Sequence, residues 1–503
     1  MANTTKVWLN RGVTAAIIAL LGGGLVAGIY LTNPFSRFSL IRRPFVVTLT
    51  KETFEAVNNN HRLRVRQGLL WRWFAIIKSG AYILTTRYLH SPRAAGTTVE
   101  AIIAGIHRLR FDPSKLLLIS GDHFNGLFVR NLGVFYCPML DTCVLSSKQD
   151  WENRQAVYLQ TVAYALGVYA KYPIPTTTIY STGALRATCV NFYAYPSDTG
   201  YGIVYALAAL LGKEPGRPYA YTETHLKLHT QLAAKLLIHE YRTTLQTLYS
   251  HYRSTAFDEI TGLVRIDLHM SGAKDITRRQ SSFYDNVIFW KTTQLAQMLG
   301  LIPSDQTFLD ELKRRILKTF WLEKPGYFLE DLSPESQHHT YYSSDWLIVL
   351  ATGFLQIDNP TERHYFERSV RYIQAQGIDQ PFALKYHADT RAHRQFLAVR
   401  LAVASYGGDA IWSFWGMEYI KVLLMLHRQT GRNAYLETAD HHIATYEQAM
   451  LRDGGFPEVY DAKGRMLQTL LYRSIRQTGW VIGFEQVRAM RAAQAHQDTR
   501  SLD

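Results

Sequence analysis

The sequence predicts a mainly helical fold, an (α/α)6 toroid preceded by one transmembrane helix and a short β-containing segment. Three observations carry that expectation: an uncharged apolar run near the N-terminus, a train of about twelve amphipathic stretches beyond it, and aromatic, glycine-rich loops between those stretches. A chain of 503 residues with 47% hydrophobic content can bury a large core. Its 23 Phe, 10 Trp and 31 Tyr residues and its 19% charged fraction exclude a disordered chain, which would be poor in aromatics and denser in charge.

Residues 13–32 read VTAAIIALLGGGLVAGIYLT, bracketed by Lys6 and Arg11 before and by Arg37, Arg42 and Arg43 after. An uncharged stretch of this length makes one bilayer crossing. It is long for a signal peptide, and no small-x-small cleavage site precedes a polar start. The expectation is a single-pass anchor in the cell membrane that contacts the lipid bilayer, with residues 1–12 as a short tail and the large domain extracytoplasmic. Basic residues on both sides leave the orientation open.

Residues 33–92 form a juxtamembrane, β-containing linker, with a strand over Phe45–Thr50 and a turn at Asn58–Asn60. Helical periodicity then dominates residues 93–495, and 496–503 form a C-terminal tail. The amphipathic stretches fall near 98–110, 150–171, 201–212, 223–252, 284–299, 305–318, 343–356, 361–376, 392–404, 411–430, 433–450 and 475–495. Consecutive pairs of such helices close into inner and outer rings with loops gathered at one end. No fixed repeat indicates an α-solenoid.

The net charge of +14 suits an anionic surface. Nucleic acid is not an expected partner, because the basic residues are scattered and neither zinc-finger spacing nor an RNA-binding signature accompanies them. Cys137, Cys143 and Cys189 show no CxxC spacing, and His338 and His339 near Asp345 lack a metal-site pattern. No metal and no cofactor is expected. The oligomeric state is not legible.

P-loop, GxGxxG, HExxH and GxSxG patterns are all missing, which leaves carboxylates in aromatic loops as the candidate chemistry. Glu458 follows Pro457 between two helical stretches, flanked by Phe456 and Tyr460, where a carboxylate can face a cleft. Glycoside hydrolysis requires a protonated acid at the leaving oxygen and an ionised carboxylate that activates water.

The segment DGGFPEVYDAKG, followed by Gln477-Thr478-Gly479-Trp480-Val481, resembles the last catalytic loop of glucoamylases and of the glucosidase domain of glycogen debranching enzymes, both six-hairpin glycosidases. Further segments match in the same order. Ser120-Gly121-Asp122 resembles a G-R-D substrate loop, and Phe128-Val129-Arg130-Asn131 a W-V-R-D element in which Asn131 replaces the acid. Tyr195 to Tyr201, with Asp198, resembles Y-N-S-x-D-A, and Thr277 to Trp290 matches T-P-R-x-G-K-P-V-E-I-N-A-L-W in length, setting Asp285 at its Glu. Phe320-Trp321 with Gly326-Tyr327-Phe328-Leu329, and Ala410 to Trp415, resemble the F-W-N…G-Y-L and V-W-P-W runs.

The resemblance implies an inverting glycoside hydrolase acting on α-glucosides or a related polysaccharide, with Glu458 as general base. It implies an acid near Arg265-Ile266-Asp267, so Asp267 leads, followed by Asp285 and Asp275. Asp122, Arg130, Asn131, Asp198, Trp412 and Tyr460 would bind the sugar. Inversion corresponds to carboxyl groups about 6.5–9.5 Å apart. Two alternatives stay open: a catalytically impaired glycan-binding toroid, and a polysaccharide lyase or sugar epimerase on the same fold. A Tyr, His and Arg cluster instead of two opposed carboxylates would favour the last.

Overall fold

The computed structural model describes residues 46–48, 65–66, 94, 96–110, 120–121, 126–140, 148–171, 178–183, 186–190, 196–213, 228–270, 272–274 and 277–500. The tail 1–12, the apolar run 13–32, the Asn58–Asn60 turn, Asp122 and Asp275 lie outside them. Among the described residues no helix is long and apolar enough to cross a membrane.

The chain is mainly helical and its helices close a ring. The inner members are α3 (Thr199–Leu210), α6 (Phe283–Met298), α9 (Ile348–Thr352), α12 (Ser413–Thr430) and α14 (Val481–Arg500). Each packs on the next, and α14 returns to α3 through the 3-10 turn Cys137–Leu140. That turn and its neighbour Val129–Leu132 occupy the sixth inner position, where the periodicity predicts no helix. The outer members are α1 (Val99–Arg110), α2 (Lys148–Lys171), the pair α4 (Leu228–Glu240) and α5 (Arg242–Ala256), α7 (Gln306–Phe320), α10 (Pro360–Ala375) and α13 (Asn433–Asp453). Outer and inner members alternate along the chain, and α13 packs on both α12 and α1. Short helices α8 (Pro334–His339) and α11 (Leu397–Val403) lie in the connecting loops.

Burial sorts the two rings. Every residue of α12 from Ser413 to Leu426 is buried, because an inner helix meets protein on all sides. Outer α7 buries one stripe only, Leu309, Leu312, Ile316 and Phe320, at helical spacing. Side chains fix the ends: Asp305 caps α7 by accepting from the Phe308 amide, and Asn359 followed by Pro360 starts α10. Three predicted stretches are broken. The one at 223–252 divides at Tyr241, that at 343–356 begins as a 3-10 turn over Ser344–Leu347, and that at 392–404 begins as one over Ala392–Arg394. The C-terminal boundary also moves, since α14 runs on to Arg500.

The predicted N-terminal strand is present as β1 (Val46–Thr48), but it is not a separate linker element. It joins a five-stranded sheet in the order β2-β1-β5-β4-β3, where β2 is Val65–Arg66, β3 Gly126–Phe128, β4 Thr178–Gly183 and β5 Arg186–Val190. Four further strands form two antiparallel pairs, β6 (Phe257–Asp258) with β7 (Leu263–Val264) and β8 (Trp321–Leu322) with β9 (Tyr327–Phe328). A last pair, β10 (Ile411–Trp412) with β11 (Val459–Tyr460), sits at the end of the ring where α12 starts.

One close approach in the inner ring is between α3 and the Val129–Leu132 turn. A Cβ on Gly202 would lie 2.3 Å from the Val129 carbonyl oxygen and 3.0 Å from the Arg130 Cα, both backbone atoms that cannot swing aside. Gly202→Ala is expected to lower stability by about 1–3 kcal/mol, the usual cost of overpacking. Urea denaturation of the two proteins checks it.

Candidate active site at the N-terminal ends of the inner helices

Helix α13 ends at Gly454, whose φ of 62° is a left-handed cap that suits glycine. The chain then turns into the 455–461 loop. Glu458 is pinned through its backbone: its amide donates to the Ile475 carbonyl at 2.8 Å, and its carbonyl accepts from the Ser413 amide and hydroxyl, both at 3.1 Å. Val459 pairs with Trp412 in the adjoining ladder. These contacts set Glu458 between the lead-ins of α12 and α14, and its side chain is half-buried.

A cluster of aromatic rings stands beside it, with Trp412, Tyr386 and Trp480 buried and Tyr406 half-buried. The Trp412 ring lies 5.3 Å from Tyr386, 4.6 Å from Tyr406 and 6.0 Å from Trp480, centroid to centroid. Its Nε1 donates to the Tyr406 carbonyl at 2.8 Å, and Tyr406 in turn packs on Tyr472. Such rings suit the C–H faces of a pyranose.

Across the ring, Arg130 donates from Nη1 to the Gly272 carbonyl at 2.7 Å and reaches Asp198 at 3.5 Å. The Tyr284 hydroxyl donates to the same Asp198 carboxylate at 3.2 Å. Burial, reinforced by the Asp198 charge, pushes the Tyr284 phenol well above its ordinary value, so it acts as a donor. Asp285 is buried, with one carboxylate oxygen accepting from Ser197 and the other from Ser282, each at 2.6 Å. The Asp285 amide also donates to Ser282, which makes Asp285 the third residue of a helix cap on α6. Asn131 donates to Ser120 at 3.1 Å, and Gly121 packs against Ile475, the residue that accepts from Glu458. Through these contacts Glu458, Trp412, Arg130, Asn131, Asp198 and Asp285 gather at one end of the ring.

Two predicted residues stand apart. Asp267 makes a two-pronged pair with Arg265, at 2.8 and 2.6 Å, with both side chains more than a third exposed. Tyr460 is fully buried, edge-on to Phe382 and Tyr446, which makes it part of the core.

A buried ionic cluster at this end carries no local sequence signal. Lys274 donates to Glu330 at 2.6 Å and to His387 Nε2, and its ammonium lies 4.8 Å from the Tyr386 ring centroid. Arg394 donates to Glu330 at 2.5 Å and to Asp331 at 2.9 Å, while Arg279 pairs with Asp345. Burial pushes the Lys274 ammonium down to about 8 against the pull of Glu330. Burial works to raise Glu330, but the Lys274 and Arg394 charges outweigh it and hold the carboxyl well below its ordinary range. Burial and the Lys274 charge together keep the His387 imidazole neutral far below its usual 6.5. Glu330 and His387 lie 56 and 113 positions from Lys274 in the chain, too far for any spacing rule. Among the described residues no group of three or more His, Cys, Asp or Glu side chains is set to hold a metal ion.

The cluster has a consequence for acid stability. In the unfolded chain His387 takes up a proton near pH 6.5 and Glu330 near 4.5; in the folded chain both resist until well below those values. The unfolded state therefore binds more protons, so the stability held above pH 6.5 declines in two stages, progressively from 6.5 and more steeply from 4.5, until the folded groups take up their own protons well below those values. Denaturation midpoints across this range are expected to fall accordingly, and His387→Gln is expected to remove the first step and keep the second.

No protein-family model matches the sequence, and comparison with curated proteins finds no match. Solved structures do show likeness. Cellobiose 2-epimerase from Spirochaeta thermophila DSM 6192 is 11% identical, over 84% of this chain and 98% of that one, with a TM-score of 0.45. A cellobiose 2-epimerase from Bacillus thermoamylovorans B4167 is 12% identical over 78% and 100%, with a TM-score of 0.44. A D-mannose isomerase is 11% identical over 80% and 100%, with a TM-score of 0.42. At these values no reaction and no residue role passes from them to this chain.

Proposed function

We propose that the chain is a sugar-processing enzyme, tethered by residues 13–32, whose active site is the end of the ring bearing Glu458. The observation that carries this reading is Glu458 itself: a half-buried carboxylate with a fixed backbone, beside the Trp412 and Tyr406 rings and at the end of the ring that holds the Arg130 guanidinium. An aromatic wall takes the sugar face, a cation stabilises developing oxyanion charge, and a carboxylate accepts a proton.

Of the reactions such a base performs, the described contacts favour the one that needs a single carboxylate. Asp267 pairs with Arg265 at the surface, and Asp285 is buried with both carboxylate oxygens accepting from Ser197 and Ser282, so neither stands beside Glu458 as a second free carboxylate in the described contacts. Isomerisation requires only that Glu458 remove the proton from C2 of an open-chain aldose and return it to C1 on the same face of the enediolate, while the O2 hydroxyl proton passes to O1. Arg130 would face the enediolate oxygens. Epimerisation needs in addition a proton donor on the opposite face, which Glu458 alone does not supply. Glycoside hydrolysis is the second reading, and one observation favours it. Gly121, of the Ser120-Gly121-Asp122 segment that resembles a glucoamylase substrate loop, packs on Ile475 beside Glu458.

Incubating the full chain with a panel of reducing sugars in D2O separates the two. Epimerisation or isomerisation is expected to write deuterium at C2 or C1, read by NMR, whereas hydrolysis consumes aryl-glycosides and leaves carbon-bound protons untouched. Glu458→Gln is expected to slow the active reaction by about 10²–10⁴-fold, the usual worth of a general base. Asp267→Asn is expected to leave it unchanged. Full activity in Glu458→Gln would overturn the proposal.

A further inference from the structure

Outer helix α4 turns apolar rows in two directions. Thr230, Ala234 and Ile238, at four-residue spacing, are buried on the ring side, where α4 packs on α2 and α3. Leu228, Leu232 and Leu236, at the same spacing, are 69%, 47% and 68% exposed. Residues four apart lie above one another on a helix face. The three leucines therefore form a ridge facing solvent over two full turns.

Single exposed leucines are ordinary on a protein surface; a continuous row marks an interaction face. The contrast with α7 is direct, since the outward face of that outer helix carries the Glu311, Arg314 and Arg315 ion pairs. Along the α4 ridge stand His229, Lys235 and His239, all exposed, and Lys213 is exposed at the end of α3. The one acid on the helix, Glu240, is its last residue. A leucine row flanked by the Lys235 and Lys213 ammonium groups suits a membrane interface: the leucines enter the acyl boundary, the two ammonium groups meet lipid phosphates, and the His229 and His239 rings add hydrogen-bonding groups beside them. A second copy of the chain fits less well, because three side chains present only a fraction of the roughly 800 Å² per partner that a stable dimer buries.

We propose that α4 docks on an anionic phospholipid surface and holds the outer ring against the bilayer, an inference that rests on residues 13–32 anchoring the same chain there. A weak surface contact suffices in that case, because the anchor keeps the helix at high effective concentration near the lipid.

The test uses the full chain reconstituted in phosphatidylcholine and phosphatidylglycerol vesicles doped with a phospholipid whose acyl chain carries a photoactivatable group. Peptide mapping after illumination is expected to find lipid adducts in 228–240 as well as in 13–32. Those in 228–240 are expected to be lost in the Leu228→Ser, Leu232→Ser, Leu236→Ser protein and reduced in vesicles of phosphatidylcholine alone, with the melting temperature unchanged. Adducts confined to 13–32 would overturn the docking proposal and keep the anchor. Adducts in neither segment would overturn both.

Discussion

The constraint on which the rest of the structure depends is the burial of Lys274, Glu330, Arg394 and Asp331 at the mouth of the ring. Five inner helices begin at this end, and their lead-in loops cannot be covered by an apolar layer without stranding backbone polar groups. The chain instead places charges there and pairs them fully. Lys274 and Arg394 share Glu330, and Arg394 also takes Asp331, so that no side chain of the four is left uncompensated. Removing one member of such a set costs far more than the set contributes, because the remaining charge stays buried without its partner. The arrangement acts as a register: it forms only when the loops at 272–274, 330–331 and 387–394 stand in one relation to each other.

That register reaches the candidate site by two routes. Lys274 fixes the short loop whose Gly272 carbonyl receives Arg130, and Arg130 in turn lies beside the Asp198 to which Tyr284 donates. Lys274 also lies close to Tyr386, which packs on Trp412 at the start of α12. Glu458 is held by a separate device, the two-residue ladder between β10 and β11 with the Ser413 and Ile475 contacts. The base and the cation opposite it therefore hang on different supports.

Much of the helical ring was legible because it is written in local periodicity. All twelve amphipathic stretches correspond to helices, and the breaks fall where local rules act, such as Gly353, whose φ of 67° ends α9. The sixth inner position was not legible, since the turns at 129–140 carry no 3.6-residue period. At the site, Glu458 stood out because a Pro-Glu pair among aromatics between two helices is a local pattern. Asp285 was read as an acid from a length match, although Ser282-Phe283-Tyr284-Asp285 also spells a helix-capping box, which is how the structure uses it. Asp267 follows Arg265 by two residues, a spacing that allowed the pair the structure contains. The ionic cluster was invisible for the opposite reason: its members come from three loops that meet only in the closed ring.

The most direct test of the account is a crystal structure of the protein with a bound disaccharide. The sugar is expected to stack on Trp412 or Tyr406, with a reacting carbon or a bound water within about 2.6–3.2 Å of a Glu458 carboxylate oxygen. A sugar bound on another face, with Glu458 in contact with bulk solvent alone, would contradict it.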